Sequence, residues 1–161
     1  MMRAYVDTNI LVDLVLSRQE FLPDAQRVFA IGYAGEAQLV VSALSFVNTV
    51  YLGRKYKFPM DDVLSKLRMI ADFVDVADLS GQNVVDMLNS GWRDYEDATQ
   101  HRSAIDEQAD CIVTRNKKDF KASTLPVPPD VARFTFASSA IPWRTTLRNR
   151  FFSPINVHCL V

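Results

Sequence analysis

Short apolar runs at Arg3 to Val6, Leu39 to Val41, Phe73 to Val76 and Cys111 to Thr114 alternate with longer stretches whose apolar residues recur every three or four positions. Strands interleaved with helices in this way predict βαβ units and a parallel sheet covered by helices, an α/β fold. The first helix is predicted over Asn9 to Leu16, where Ile10, Leu11, Leu14 and Val15 share a face. Pro23 and Asp24 open a second helix that runs through Phe29 and Ile31 and closes near Gly32 to Gly35. A third is capped by Ser42 or Ser45 and carries Phe46, Val47, Val50, Tyr51 and Leu52. Pro59 starts a fourth, with Val63, Leu64, Leu67 and Ile70 on one side. Ser80 starts a fifth that ends at Ser90-Gly91, and Asp94 to Ala109 reads as a sixth.

The chain has 161 residues, a length that predicts one domain with a core of ordinary size. A net charge of -1 argues neither for nor against a polyanionic ligand, since a local basic patch is enough to bind one. Cys111 and Cys159 make no disulfide framework, and Cys111 sits in an apolar run as a buried thiol would. No run approaches the ~20 apolar residues of a membrane span, and the opening MMRAYVDTN lacks a signal-peptide core. These features predict a soluble, cytoplasmic protein. Pro126, Pro128 and Pro129 break the pattern, and the segment from Ser138 to Val161 fits neither period. That segment carries Arg144, Arg148 and Arg150 without any acid. The expected division is therefore a folded domain over 1–137 and a docking arm or disordered tail over 138–161.

Acidic residues stand where strands hand over to helices: Asp7 after the first strand, Asp97 in the first turn of the sixth helix, and Asp119 after the fourth strand. In open parallel sheets ligands gather at the carboxyl ends of strands, so these three carboxylates are expected to converge. Clustered carboxylates repel unless a cation offsets them. Oxygen donors suit Mg²⁺ or Mn²⁺, and with only His101 and His158 and no paired cysteines the chain offers no zinc chemistry. A hard dication held there would neutralise phosphate charge and help orient a water for in-line attack. Read singly, each aspartate is also an ordinary helix cap or turn former.

The string YVDTNILVDLVLSR resembles the opening of PIN domains, VSALSFVNTVY their second motif helix, DYEDATQ their later acidic helix start, and IVTRNKKDF their last strand and turn. The order and spacing of these motifs, from residue 3 to residue 120, are similar to those of the toxin-type PIN ribonucleases of bacterial toxin–antitoxin pairs. The resemblance implies a three-layer α/β/α fold with a central parallel sheet of four to five strands. It also implies a metal-dependent endoribonuclease in which Asp7, Asp97 and Asp119 are catalytic and hold Mg²⁺ or Mn²⁺. Many relatives place a Glu where this chain has Asn48, which supplies an amide without charge. Some place an Asp where it has Asn116. Thr8, Asn9, Asn48, Asp94, Thr114 and Asn116 are then polar helpers around the carboxylates.

Arg115, Lys117, Lys118 and Lys121 flank Asp119 and are expected RNA contacts. Arg54, Lys55 and Lys57 are read either as a second phosphate patch or as partners of the dipole at the end of their helix. Tyr5, Phe46, Tyr51 and Phe120 fall on apolar faces and are read as core, and His101 as a packing residue. The resemblance further implies an RNA substrate, a small co-encoded antitoxin and a homodimer. Two other functions compete. Haloacid-dehalogenase-like phosphatases need a second Asp two residues after the first, and Asn9 stands there. A degenerate PIN domain that binds RNA or protein without cutting is favoured by the amides Asn48 and Asn116.

Overall fold

The structure, a computed structural model, describes residues 1–128. The expected tail over 138–161 and the boundary at 137 lie outside the described residues, as does Cys159. Strand β1 (Arg3–Val6) occupies an inner position, between β2 (Gln38–Ser42) and β4 (Cys111–Val113). The third strand, β3 (Asp75–Ala77), pairs with the far side of β2, so the order is β3-β2-β1-β4 and every pairing is parallel. The register sets Val6 opposite both Val41 and Val113. The carboxyl ends of these three strands are therefore level, and Asp7, Ser42 and Thr114 follow at one edge.

Side chains alternate across the sheet, as pleating requires. Ala4, Val6, Leu39, Val41, Cys111 and Val113 face one layer of helices. That layer comprises α1 (Thr8–Val15), α2 (Leu22–Tyr33), α3 (Ala43–Lys55) and α4 (Met60–Ala71). Tyr5, Val40 and Ile112 face the other side, against Ala104 of α6 (Tyr95–Asp106), with α5 (Gly81–Leu88) packed on α6. The result is the three-layer α/β/α arrangement, with a four-stranded sheet among the described residues. The apolar faces of α2 and α4 are used here: Ala25, Val28, Phe29, Val63, Leu67 and Ile70 are all core.

Two element boundaries differ from the sequence reading, each for a local reason. Phe73 and Val74 are apolar, yet their N–H groups return to the Ile70 carbonyl and close α4, so β3 begins two residues later than expected. Helix α6 stops at Asp106 because Gln108 takes φ 53, and the bonds Ala109 N–H to Ala104 O and Gln108 N–H to Ile105 O form a Schellman closure. Glycine usually marks that closure, and without one the sequence reads as helix to Ala109. Helix α2 ends at Tyr33 and is closed by Gly35 at φ 71, within the expected span, while Gly32 lies inside the helix against β2.

A Cβ at Gly32 would stand 2.5 Å from Cδ1 and 2.6 Å from Cγ of Leu39, a fully buried side chain. Gly32→Ala is therefore expected to destabilise the protein by ~1–3 kcal/mol through overpacking. The midpoint of urea unfolding reads this directly, and an unchanged or higher midpoint would show that α2 can move away from β2.

Candidate metal centre

Asp7 leaves β1 as its N–H donates to the Val113 carbonyl at 3.0 Å, and it caps α1 with extended backbone (φ -63, ψ 149). Its side chain does not cap the helix and turns to the sheet edge instead. There Oδ1 accepts from Gln100 Nε2 at 2.9 Å, and Oδ2 accepts from Thr114 Oγ1 at 2.5 Å and from Asn9 Nδ2. Asn9 Nδ2 also reaches Thr114 Oγ1 at 3.1 Å, so strand ends β1 and β4 are tied by one small polar network. The carboxyl is 2 % exposed, and burial pushes it up to about 6 in spite of the donors from Thr114 and Gln100.

Thr8 supports this arrangement from behind. Its N–H donates to Gln100 Oε1 at 3.0 Å, and its hydroxyl is 2.8 Å from that of Ser45, a buried residue of α3. Ser42, not Ser45, caps α3, accepting from the Leu44 N–H at 2.9 Å. The two serines thus divide the roles left open in the sequence: one ends the strand, and the other faces Asp7's neighbour.

A second group of acids comes from the start of α6. Asp94 is the cap, its Oδ1 accepting from the N–H groups of Glu96 and Asp97 at 2.8 and 3.4 Å. Capping brings oxygens of Asp94, Glu96 and Asp97 within 4.8 Å of one another. Glu96 Oε1 also accepts from Asn48 Nδ2 at 3.0 Å, joining α6 to α3. Asp97 is 8 % exposed, and no hydrogen-bond donor reaches its carboxylate among the described residues. Burial, followed by the charges of Asp7, Asp94, Asp119 and Glu96, pushes its pKa up to about 7.

The expected trio is therefore related differently from its sequence picture. Asp7 and Asp119 bear on Asp97 through their charge, whereas the tightest grouping of oxygens is the Asp94, Glu96 and Asp97 set at one helix start. Asp119 is exposed and accepts from Asn116 Nδ2, while the Asn116 N–H donates to Thr114 Oγ1 at 2.9 Å. Lys117, Lys118 and Lys121 are exposed beside it.

Arg115 is committed elsewhere. Its Nε and a terminal nitrogen bind Asp13 at 2.7 and 3.3 Å, and its guanidinium lies 3.9 Å over the ring of Phe21. Asp13 is 0 % exposed, and Arg18 approaches it as well. A buried carboxylate has to be paired, so the guanidinium is spent on the fold and is withdrawn from the expected RNA contacts. His101 is likewise structural: its Nε2 accepts from the Thr124 N–H at 3.1 Å, and its ring packs on Trp92 at 4.9 Å.

Gln100, Glu96 and Asp13 were not singled out in the sequence, and Ser45 only as a candidate helix cap. Gln100 lies one turn after Asp97 and is 1 % exposed, and only a buried glutamine among small residues hints at its task. Tyr51 departs from its reading as core, being 62 % exposed, whereas Tyr5 and Phe120 are buried as expected.

The PIN-domain family profile matches residues 3–118. No curated protein matches the chain in sequence. Among solved structures, VapBC2 from Rickettsia felis, crystallised with a DNA fragment from its promoter, is similar at TM-score 0.58 and 20 % identity, over 79 % of this chain and 98 % of that one. A toxin–antitoxin complex from Klebsiella pneumoniae is similar at 0.55 and 24 %, over 78 % and 95 %. VapC20 of Mycobacterium tuberculosis, described as a Sarcin-Ricin loop cleaving toxin, is similar at 0.55 and 13 %, over 83 % and 95 %. These likenesses concern the fold, while the sequence profile covers most of the chain and all four motif strings begin within it. On that match, this chain belongs to the PIN-domain family.

Proposed function

We propose that the protein is a divalent-metal-dependent endoribonuclease, the toxin of a toxin–antitoxin pair. The observation that carries this reading is the crowding of like charge at Asp97, a residue 8 % exposed whose carboxylate has no donor among the described residues and faces the charges of Asp7, Asp94, Glu96 and Asp119. A fold tolerates such a group when a cation compensates it. The metal-ligating groups gathered there are carboxylate oxygens, with no thiol or ring nitrogen among the described residues of the cluster, a set that fits hard Mg²⁺ or Mn²⁺.

In this reading Asp7, Glu96, Asp97 and Asp119 hold the metal, and Asp94 sets the helix start. When bound, such a dication neutralises phosphate charge and favours ionisation of a water for in-line attack on the phosphodiester. Thr114, Asn9 and Gln100 orient Asp7, and Thr8 orients Gln100. The amides that favour a degenerate domain also speak for the nuclease here. Asn48 donates to Glu96 at 3.0 Å, so an acid stands beside the residue that replaces the Glu of many relatives, and Asn116 steadies Asp119. Lys117, Lys118 and Lys121 are placed to meet RNA phosphates.

The toxin–antitoxin complexes among the structural relatives support a small antitoxin as partner. An apolar groove between α3 and α4, lined by Phe46, Val50, Leu64 and Leu67, and the exposed Val84, Val85 and Leu88 of α5 are surfaces for that antitoxin or a second copy. No helix of the described residues is long and apolar enough to cross a membrane, and an RNA substrate places the activity in the cytoplasm.

The test is cleavage of a mixed RNA pool by purified protein. Strand scission is expected with Mg²⁺ or Mn²⁺ and is expected to vanish on chelation and in Asp7→Ala. Scission that persists through both treatments would sink the reading.

A further inference from the structure

The geometry points to the exposed side of α3 as a binding track for single-stranded RNA, with Tyr51 as a base-stacking platform and Arg54 and Lys55 as phosphate contacts. This rests on the nuclease reading above and names how its substrate is held. The track starts at the site itself, because Asn48 on α3 is bonded to Glu96. Tyr51 stands three residues further on, on the same side of the helix, and Arg54 and Lys55 follow three and four residues after it. At 1.5 Å per residue, Lys55 lies ~10 Å along the axis from Asn48, the reach of about two nucleotides of extended strand.

The chemistry of this face suits a polyanion with flat bases. The Tyr51 ring is 62 % exposed and has no ring contact among the described residues. No carboxylate pairs with Arg54 or Lys55 among the described residues, and both are exposed. Tyr95, 55 % exposed, begins α6 immediately before Glu96 and is a second exposed aromatic residue next to the acids. An aromatic beside cations that lack a carboxylate partner, leading away from an acidic cluster, is the pattern by which single strands are held without reading their sequence. The dipole of α3 alone would explain Arg54 and Lys55, but not an exposed tyrosine between them and the acids.

The test uses a short unstructured RNA, bound to protein in an Asp97→Asn background so that it stays uncut, with affinity read by fluorescence anisotropy. Tyr51→Ala is expected to weaken binding about tenfold, and Tyr51→Phe to stay within about twofold, since stacking needs the ring and not the hydroxyl. An abasic nucleotide scanned along the RNA is expected to cost about tenfold at one position, and that cost is expected to disappear in Tyr51→Ala. Arg54→Ala with Lys55→Ala is expected to flatten the salt dependence by about 1.4 in log-log slope, ~0.7 for each phosphate no longer neutralised. Equal affinity for the parent and Tyr51→Ala overturns the track while leaving the nuclease reading intact. A parent that neither binds RNA nor cuts it with metal removes both. Unchanged RNA affinity together with loss of a co-purifying antitoxin assigns the face to a protein and also overturns the proposal.

Discussion

Asp97→Asn is expected to lower metal-dependent RNA cleavage by about three orders of magnitude and, in the same protein, to raise the melting temperature of the metal-free form. The two effects have one cause. Asp97 is 8 % exposed as a residue, and its carboxylate receives no donor among the described residues and faces four other acids. Ionising it without a cation is costly, and an amide of the same shape removes that cost. The expected gain is ~2 kcal/mol, or roughly 4–8 °C for a chain of this size. The loss of activity follows because the amide supplies no charge to a dication whose stabilisation of the reacting phosphate is worth several kcal/mol. Differential scanning fluorimetry in EDTA at pH 7.5 reads the first effect, and gel-resolved cleavage the second. A lower melting temperature in EDTA would mean that the fold itself stabilises the Asp97 anion and has no need of a cation there.

The second large effect is the pH dependence of the metal-free fold. Asp7 is pushed up to about 6 and Asp97 to about 7, both from an ordinary value of 3.8. Well below that ordinary value each carboxyl is protonated whether folded or not, and the stability associated with it is fully present. As pH rises the unfolded chain ionises first, while the folded protein retains its protons, so stability falls. The fall is complete once pH passes about 7. Each tenfold change in proton affinity is worth ~1.4 kcal/mol, so Asp7 alone contributes ~3 kcal/mol. Asp97 adds to this, though not independently, because each group senses the other's charge.

Urea midpoints in EDTA are therefore expected to decrease from pH 5 to pH 8 through this site. Saturating Mn²⁺ is expected to restore more stability at pH 8 than at pH 5, since metal and protons compete for the same oxygens. Midpoints that do not fall toward pH 8, or a metal effect that grows toward acid, would contradict the site.

Local signals made much of the molecule legible. Ser80 reads as a helix start because a short polar side chain stands before a helical run, and the structure uses it as the cap of α5. Asp7 reads as a strand end because an apolar run stops there, and parallel pairing then carries it to the sheet edge beside Thr114. Alternation along β1 and β4 sorts Ala4, Val6 and Cys111 to one layer and Tyr5 and Ile112 to the other. Boundaries were less legible where an unusual residue took a glycine's conformation, as Gln108 does in closing α6.

What the residues determine unaided is whatever depends on spacing of one to four positions: the order of strands and helices, the caps, and the presence of acids at strand ends and helix starts. Tertiary structure alone decided that Gln100 meets Asp7, that Asn48 carries Glu96, that Arg115 serves Asp13, and that Tyr51 faces outward from an apolar stripe wider than the surface it covers. The reason is geometric. Such contacts span up to about a hundred residues of chain and depend on strand register and helix rotation, where a slip of one residue turns a side chain to another face. Short-range periodicity carries no record of either.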